Sequence, residues 1–407
     1  MIHLHRTRRS SRAAVSRISA FAALPALALA LAGCSSASSS FSAFSDKVGS
    51  VGGYFSKTPG ESQQVAMFVA STHHKTGEST GDGAATFSLQ TVSVPPDHKP
   101  GEIELPRFGA PDPQKDFVAV RRRALDPDAF HAELASHISG RIGNSRDVLL
   151  YVHGFNTSLA EARFRLAQIV ADGGFTGVPV LFSWPSKGDL FAYESDKESA
   201  TASRDALEKL IADLSHAPGV GRVQILAHSM GAWLTMEALR ETAIAGHPDL
   251  DGKLGAIMLA APDIDLSVFR QQVARLDPSH VSVFVSHDDR ALSLSSRIAG
   301  SRQRLGAMDP SNPKDAAAID AIGVRVYDLS FFGSGWIGHD TYANAPDAVR
   351  QIGATLTRKR ESDANVQAVI DAGATPITSP QPVPPAPASP APSNAPIVGQ
   401  DLAPPAR

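Results

Sequence analysis

One serine of the chain stands where nucleophilic chemistry is possible. Ser229 lies in the stretch "VQILAHSMGAW", between an apolar run and a helix-like segment. The stretch fits the G-x-S-x-G nucleophile elbow, with alanine in place of the first glycine. Small neighbours are needed there, because the turn is so sharp that larger side chains would collide. A serine in front of a helix can also be an ordinary N-cap, so the rest of the chain has to separate the two interpretations.

A second chemical feature follows another apolar run. The stretch "LLYVHGFNTS" places His153, Gly154 and Phe155 directly after a strand-like segment. In α/β-hydrolases the loop at this point supplies one backbone N–H of the oxyanion hole, and the residue after the nucleophile supplies the other. We therefore expect the amides of Phe155 and Met230 to form an oxyanion hole. We interpret His153 as a structural residue of this loop.

An acid and a base must follow such a serine, in that order along the chain. The turn "HDDRAL" offers Asp288 and Asp289, and "FFGSGWIGHDTY" offers His339 after the last strand-like run. A histidine there can reach the serine while a strand-end aspartate fixes its tautomer. Asp263, after the run "LGAIMLA", is a third candidate for the acid, although it needs a longer reach. The residues alone leave these three aspartates open.

The other histidines give weaker signals. His228 adjoins the serine and cannot easily turn back onto it, so we interpret it as a packing residue. His73 and His74 have no carboxylate or cysteine at ligand spacing. The sequence therefore predicts no metal site and, without a glycine-rich phosphate loop, no cofactor.

Eight runs rich in Val, Ile and Leu are the candidate strands. They are Gln64–Ala70, Phe87–Val94, Asp147–Val152, Val178–Trp184, Val223–Ala227, Leu254–Ala260, Val281–Ser286 and Val324–Leu329. Near-continuous apolar runs are typical of strands covered on both faces. Helix-like segments separate most of the later runs. They are Ser158–Ala171, Lys197–Leu214, Met230–Ala243 and Ala345–Thr357.

This alternation predicts an α/β fold: a mostly parallel sheet of about eight strands with helices on both faces. No helix separates the first two runs, so we expect them to pair as an antiparallel hairpin at the sheet edge. In such a sheet the functional groups gather at the carboxyl ends of the strands, where the candidate residues lie.

Six motifs recur together in one known family. They are "VHGFNTS" (Val152–Ser158), "FSWPSKG" (Phe182–Gly188), "LAHSMG" (Leu226–Gly231), "APDID" (Ala261–Asp265), "DRALSLSSRIAG" (Asp289–Gly300) and "GHDTY" (Gly338–Tyr342). With them the chain resembles the α/β-hydrolase family once catalogued as a domain of unknown function and often labelled esterase- or lipase-like. The resemblance covers about Gln64 to Gln351. It implies the α/β-hydrolase fold and a serine-hydrolase mechanism on carboxylic esters, and it implies no particular substrate.

The resemblance also selects the acid. The family pattern puts it on the aspartate of "DRAL", which is Asp289, and the base on His339. This sequence departs from the pattern by carrying His287 and Asp288 just before that aspartate, and both remain competitors for neighbouring roles. The expected catalytic set is thus Ser229, Asp289 and His339. The alternatives are an acyltransferase or amidase with the same triad, and a non-enzymatic envelope lipoprotein that uses the fold for binding.

Residues 1–33 are typical of a targeting segment. They contain five arginines and no acidic residue, and their apolar stretch is too short and proline-interrupted to span a membrane well. The box "LAGC" resembles a bacterial lipoprotein signal, whose cysteine becomes the acylated N-terminus; a simple secretory signal is the alternative. Cys34 is the only cysteine, so no intramolecular disulfide can form.

Composition divides the rest of the chain. We expect a Ser/Gly-rich tether over 34–60, the α/β-hydrolase domain over 61–360 and a Pro/Ala-rich disordered tail over 361–407. A hydrophobic fraction of 43% is enough for a sizeable core.

The charge balance argues against nucleic acid as a partner. The net charge is −3, and loss of the basic residues 1–33 would make the chain more acidic. The expected partners are a small-molecule or lipid ester substrate and a membrane, bound through the lipid anchor. Ser35 follows Cys34, where an inner-membrane retention signal would have aspartate. We therefore expect an envelope protein of the outer membrane of a Gram-negative bacterium. The oligomeric state is not predicted.

Overall fold

A computed structural model describes residues 60–73, 84–187, 192–298, 300–332 and 339–357. The predicted signal, Cys34, nearly all of the tether, His74 and the Pro/Ala-rich tail lie outside these residues. Within the described ranges, no helix is both long and apolar enough to cross a bilayer.

A mostly parallel β-sheet forms the centre of the described chain. Its strands are β1 (Gln63–Ser71), β2 (Thr86–Val94), β3 (Val118–Leu125), β4 (Val148–Val152), β5 (Val178–Ser183), β6 (Val223–His228), β7 (Leu254–Ala260), β8 (Val281–Val285) and β9 (Arg325–Asp328). The spatial order is β3-β2-β1-β5-β4-β6-β7-β8-β9. In this spatial order, all neighbouring pairs from β1 through β5 to β9 are parallel. Strand β2 pairs antiparallel with both β1 and β3. The α/β sheet expected from the sequence is confirmed.

The described sheet has one strand more than expected, and the difference is β3. Three consecutive arginines, Arg121 to Arg123, interrupt its apolar pattern, and only Leu125 of this strand is buried. An edge strand needs little apolar surface, so the sequence of β3 contains no apolar run that would indicate a strand. The first two runs do pair antiparallel, but β1 also pairs with β5, and β3 rather than the β1–β2 hairpin forms this edge.

Helices cover both faces of the sheet. They are α1 (Pro127–Ile138), α2 (Leu159–Asp172), α3 (Tyr193–Ala202), α4 (Arg204–Ser215), α5 (Met230–Ile244), α6 (Leu266–Val273), α7 (Arg290–Ile298), α8 (Pro313–Asp320), α9 (Thr341–Asn344) and α10 (Pro346–Leu356). Apolar side chains of α2, α9 and α10 pack in one core, and those of α1, α3 to α6 and α8 pack in another. Residues of β4 alternate between the two, with Leu150 in one core and Tyr151 in the other.

The helices differ from the expectation in two ways. The sequence interpretation named four helical segments and missed α1, α6, α7, α8 and α9. Helix α1 was missed although Asp126 caps it and Pro127 occupies its first position, a common way for a helix to begin. The single helix expected over Lys197–Leu214 is two helices, α3 and α4, which meet at Ser203. The Ser203 hydroxyl donates to the carbonyl oxygen of Ser199 and lies 2.9 Å from the Thr72 hydroxyl. Such back-bonding from a serine often bends a helix.

Candidate active site

The turn between β6 and α5 has the backbone of a nucleophile elbow. Ser229 lies in it with φ 53° and ψ −120°, a conformation that non-glycine residues rarely adopt. The Ser229 side chain makes no capping hydrogen bond to α5, which argues against the N-cap interpretation. Helix α5 approaches the end of β4 so closely that a Cβ on Gly231 would meet the carbonyl oxygen of His153. Ser229 thus lies on a strained turn directly after β6, at the carboxyl end of the sheet.

A chain of two hydrogen bonds joins the expected catalytic residues. Ser229 Oγ lies 2.8 Å from Nε2 of His339, and Nδ1 of His339 lies 2.6 Å from Oδ2 of Asp289. An ionised Asp289 can only accept, so Nδ1 carries the imidazole hydrogen and Nε2 is left to accept the Ser229 proton. The structure thus brings Ser229, His339 and Asp289 together in the order that proton abstraction requires.

The buried carboxylate of Asp289 is held on both oxygens. Its side chain is fully buried, and Oδ1 accepts a hydrogen bond from the Leu292 amide at 3.0 Å, within the first turn of α7. Oδ2 is thereby directed at His339. Asp288 and His287 are both exposed, and Asp288 accepts a hydrogen bond from the Ser286 hydroxyl. Neither of them joins the catalytic group.

The third candidate acid has other partners. Asp263 is buried beside Arg304, with 3.2 Å between its Oδ1 and the Arg304 Nε. The hydroxyls of Tyr193 and Ser295 donate to its two carboxylate oxygens. An aspartate whose oxygens are all engaged in this way is not available to orient His339.

The environment of His339 makes it a stronger base than a free imidazole. Burial lowers the pKa of His339, but the hydrogen bond and the negative charge of Asp289 raise it, with Asp340 and Asp263 contributing in the same direction. The net pKa lies above the ordinary value of 6.5. A raised pKa favours transfer of the Ser229 proton to the imidazole.

His228 does more than pack. Its ring lies 4.6 Å from the ring of His339 and stacks on Tyr342, and its Nε2 donates to the carbonyl oxygen of His339 at 3.2 Å. Burial, reinforced by the nearby positive charge of His339, lowers the pKa of His228 to about 3. His228 therefore stays neutral and holds His339 without adding a second positive charge beside it.

The loop after β4 and the first turn of α5 meet at the nucleophile. Within the part of the chain that the structure describes, the amides of Phe155 and Met230 have no hydrogen-bond acceptor. Gly154 is required here, because a Cβ would collide with Nδ1 of His228. Such unengaged N–H groups beside a nucleophile can receive the oxygen of a reacting carbonyl.

His153 braces this loop, as its position after β4 suggested. Its ring is buried and stacks on Trp184, whose Nε1 donates to the His153 carbonyl oxygen at 2.9 Å. Burial lowers the pKa of His153 to about 4, so the ring remains neutral. His153 does not contact the candidate triad through any hydrogen bond that the described residues make; its partners are Gly154 and Ser183.

Sequence reasoning missed Tyr193 and Arg304, which flank the site. A single tyrosine near a helix start and a single arginine in a loop carry no periodic or motif signal. Among the described residues, no group of His, Cys, Asp and Glu could hold a metal ion. His73 is a described residue, and its Nε2 lies 3.2 Å from the Ser183 hydroxyl. His74 lies outside the described residues.

The sheet order, the elbow and the helices on both faces define an α/β-hydrolase fold. Residues 126–360, more than half of the chain, match the family described as "Alpha/beta hydrolase of unknown function (DUF900)". The chain belongs to this family. No curated protein sequence matches the chain significantly.

Solved structures give distant likenesses. An esterase from Pyrobaculum calidifontis is 15% identical, with a TM-score of 0.33 over 53% of this chain and 77% of its own. A predicted CIB-like hydrolase from Thermoplasma acidophilum is 13% identical, with a TM-score of 0.32 over 72% and 98%. The carboxylesterase EstE1, cloned from a metagenomic library, is 13% identical, with a TM-score of 0.35 over 76% and 93%. Likenesses this distant carry no argument about activity.

Proposed function

We propose that this protein is a serine hydrolase that cleaves carboxylic esters through an acyl-enzyme, with Ser229, His339 and Asp289 as its triad. One observation carries the proposal. The Ser229 hydroxyl, the His339 imidazole and the buried Asp289 carboxylate form a continuous hydrogen-bonded chain at the carboxyl end of the sheet. A neutral imidazole between a hydroxyl and an ionised carboxylate is the arrangement that activates serine.

Acylation begins with attack of Ser229 Oγ on the ester carbonyl carbon. The serine proton passes to Nε2 of His339, and the imidazolium that forms is stabilised by Asp289. The carbonyl oxygen becomes an oxyanion, to which the backbone amides of Phe155 and Met230 donate hydrogen bonds. The tetrahedral intermediate then collapses, the C–O bond to the alcohol breaks, and His339 returns the proton to the leaving alcohol.

Deacylation repeats these steps with water as the nucleophile. His339 takes a proton from water, the hydroxide attacks the acyl carbon, and the bond to Ser229 Oγ breaks as the serine regains its proton. The net reaction is ester plus water to acid plus alcohol. The same acyl-enzyme can react with another alcohol or an amine, so acyl transfer and amide cleavage are the neighbouring chemistries.

Labelling by a fluorophosphonate probe tests the proposal. We expect the purified protein to be labelled and to hydrolyse a short-chain aryl ester, and Ser229→Ala to lose both while it remains folded. Loss of such a nucleophile lowers kcat by roughly 10⁶ in a related mechanism. Ser139→Ala, at the exposed end of α1, is the matched control and should behave as wild type.

Two outcomes would count against ester hydrolysis. Unchanged turnover by Ser229→Ala would reject the nucleophile. An unlabelled, inactive but folded wild-type protein would favour the non-enzymatic binding role. Products in which an added alcohol or amine receives the acyl group, in preference to water, would move the assignment to an acyltransferase.

We also propose that the protein is anchored in the cell envelope by lipid on Cys34. The support is the box "LAGC" and the basic, acid-free segment in front of it. Several acyl chains, at about 0.8 kcal/mol per buried CH₂, anchor a protein where one chain binds only reversibly. Ser35 in the next position favours the outer membrane, and a membrane-resident enzyme suits a lipid or small-molecule ester substrate. Incorporation of labelled palmitate that survives Cys34→Ser would reject this anchor.

A further inference from the structure

We propose that Tyr193 is a positioning residue for the oxyanion hole: its ring holds Phe155, and the buried Asp263–Arg304 ion pair holds its hydroxyl. The inference rests on the proposed function, because it concerns the loop whose Phe155 amide is to receive the oxyanion. Tyr193 is the first residue of α3.

The hydroxyl end of Tyr193 is fixed in a buried polar cluster. Its O–H donates to Oδ2 of Asp263 at 2.8 Å, and the Ser295 hydroxyl donates to Oδ1 of the same carboxylate at 2.6 Å. Arg304 balances the charge of Asp263, and both charged side chains are at most 5% exposed. Burial, then the charge of Asp263, raises the pKa of the Tyr193 hydroxyl, so it remains a donor.

The same cluster is tied to the nucleophile. The Asp263 amide donates to the carbonyl oxygen of Ser229 at 3.2 Å, so the carboxylate that holds Tyr193 belongs to a residue bonded to the elbow. Ser295 lies on α7, the helix that begins directly after Asp289. The hydrogen bonds of the Tyr193 hydroxyl therefore connect it to the turn that carries Ser229 and to the helix that follows Asp289.

The ring end of Tyr193 contacts the oxyanion loop. Its ring packs edge-on against Phe155, with 5.5 Å between the ring centroids and 70° between the planes. On its other side the loop turns through Asn156, which has a φ of 55°, and the Thr157 hydroxyl donates to the Phe155 carbonyl oxygen at 3.2 Å. The ring contact fixes the side chain of Phe155 and, through it, the direction of its amide.

The ring contact between Tyr193 and Phe155 indicates a positioning role for Tyr193, beyond ordinary packing. Among the described residues, no hydrogen bond or ring contact joins Tyr193 to Ser229 or His339; its partners are Asp263, Ser295 and Phe155. Its two ends connect Phe155 to Asp263. A positioning residue of this kind should affect the transition state more than the binding of substrate, because the oxyanion forms only after attack.

A transition-state analogue makes the test specific. A trifluoromethyl ketone adds to Ser229 Oγ, the serine proton passes to His339, and the former ketone oxygen becomes an oxyanion in the hole. We would measure kcat and KM for a short-chain aryl ester and Ki for the trifluoromethyl ketone of the same acyl group. The variants are Tyr193→Phe, which removes the hydroxyl, Tyr193→Leu, which removes the ring, and Phe155→Leu, which keeps the amide.

We expect kcat to fall roughly tenfold in Tyr193→Phe and about 100-fold in Tyr193→Leu, the size of effect that follows loss of one oxyanion donor. KM should change less than about twofold, while Ki for the ketone rises in parallel with the loss of kcat. Phe155→Leu should resemble Tyr193→Leu, and the double variant should be no worse than either single one, since both remove the same contact. Tyr327→Phe, which removes a hydroxyl from β9, is the control and should match wild type.

The outcomes distinguish this inference from the proposed function. A wild-type enzyme without Ser229-dependent turnover would overturn the proposed function itself. An active wild type with additive losses in the double variant, or with reduced kcat but unchanged Ki, would reject the positioning role alone. If Tyr193→Leu does not fold, Tyr193→Phe and Phe155→Leu decide, and unchanged kcat and Ki in both would reject the positioning role.

Discussion

At the scale of single residues, the turn after β8 assigns two neighbouring aspartates to opposite environments. Asp289 begins the turn into α7 and points its carboxylate inward. There the Leu292 amide donates to one carboxylate oxygen and the His339 ring to the other. Asp288 points outward to solvent and accepts from the Ser286 hydroxyl. A charge acts on an imidazole strongly only when it is close and shielded from water, and of these two neighbouring aspartates only Asp289 meets both conditions.

The first prediction compares these two aspartates. Asp289→Asn should lower kcat by roughly 10⁴, because an amide holds the imidazole in the wrong tautomer and cannot stabilise the imidazolium. Asp288→Asn, the matched control, should cost less than about tenfold. Steady-state kinetics on an aryl ester measure both. A severe loss in Asp288→Asn with a mild one in Asp289→Asn would move the acid to Asp288.

The second prediction concerns pH. Only neutral His339 can accept the Ser229 proton, and the pKa of His339 is raised above 6.5, with Asp289 as the main cause of the increase. The kcat/KM of the wild type should therefore fall as pH decreases through a value above 6.5. In Asp289→Asn the residual activity should titrate at lower pH than in wild type. A wild-type inflection below 6.5 would contradict this assignment.

The residues of the proposed triad could be predicted from the chain to different degrees. Ser229 and His339 follow from motif and strand order, since each comes after a strand at the carboxyl end of the sheet. The choice of Asp289 over Asp288 needed the family resemblance, because spacing does not tell which of two adjacent side chains points inward. Tyr193 and Arg304 could not be predicted, since their role depends on a contact between distant segments.

At the scale of elements, buried strands are easier to read than exposed ones. The runs that became β4 to β8 are buried at nearly every position, so their apolar composition alone predicts them. Strand β3 has a solvent-facing arginine run and left no such signal. At the break between α3 and α4, the Ser203 hydroxyl donates to the Ser199 carbonyl oxygen and lies 2.9 Å from the hydroxyl of Thr72, a residue far away in sequence.

The third prediction tests the approach of α5 to β4. In Gly231→Ala the new methyl would meet the His153 carbonyl oxygen and push the Met230 amide away from that of Phe155. We expect kcat to fall at least 100-fold, in the range of losing one oxyanion donor, together with a lower thermal midpoint. Gly353→Ala in α10 makes a similar clash, with the Gly173 carbonyl oxygen, away from the triad. It should lower the midpoint and leave kcat nearly unchanged.

At the scale of the whole molecule, a buried ion pair links several elements at the carboxyl end of the sheet, where the proposed triad lies. Asp263 follows β7 and Arg304 follows α7, and Tyr193 and Ser295 bring α3 and α7 to the same carboxylate. Burying two charges is costly and is offset only when they remain paired and hydrogen-bonded. Removing one partner leaves the other charged in a dry site, so this pair should matter more for stability than for the chemical step.

The fourth prediction tests whether the Asp263–Arg304 pair matters more for stability than for the chemical step. Asp263→Asn should lower the free energy of unfolding by about 3–5 kcal/mol, the cost of leaving a buried charge unpaired. Its kcat should fall by no more than about tenfold, since the amide oxygen can still accept the Tyr193 hydroxyl. Asp263→Asn combined with Arg304→Met should recover part of the lost stability, because no lone charge then remains. Asp213→Asn, which breaks the surface ion pair of half-buried Asp213 with Lys209 of α4 and its contact with His131, is the control and should cost less than about 1 kcal/mol. Urea unfolding of wild type, of these three variants and of Arg304→Met alone measures each difference in the free energy of unfolding. The Arg304→Met variant closes the double-mutant cycle. If Asp263→Asn were as stable as wild type but lost activity like Asp289→Asn, Asp263 would be the orienting acid and its pairing with Arg304 would have no structural role.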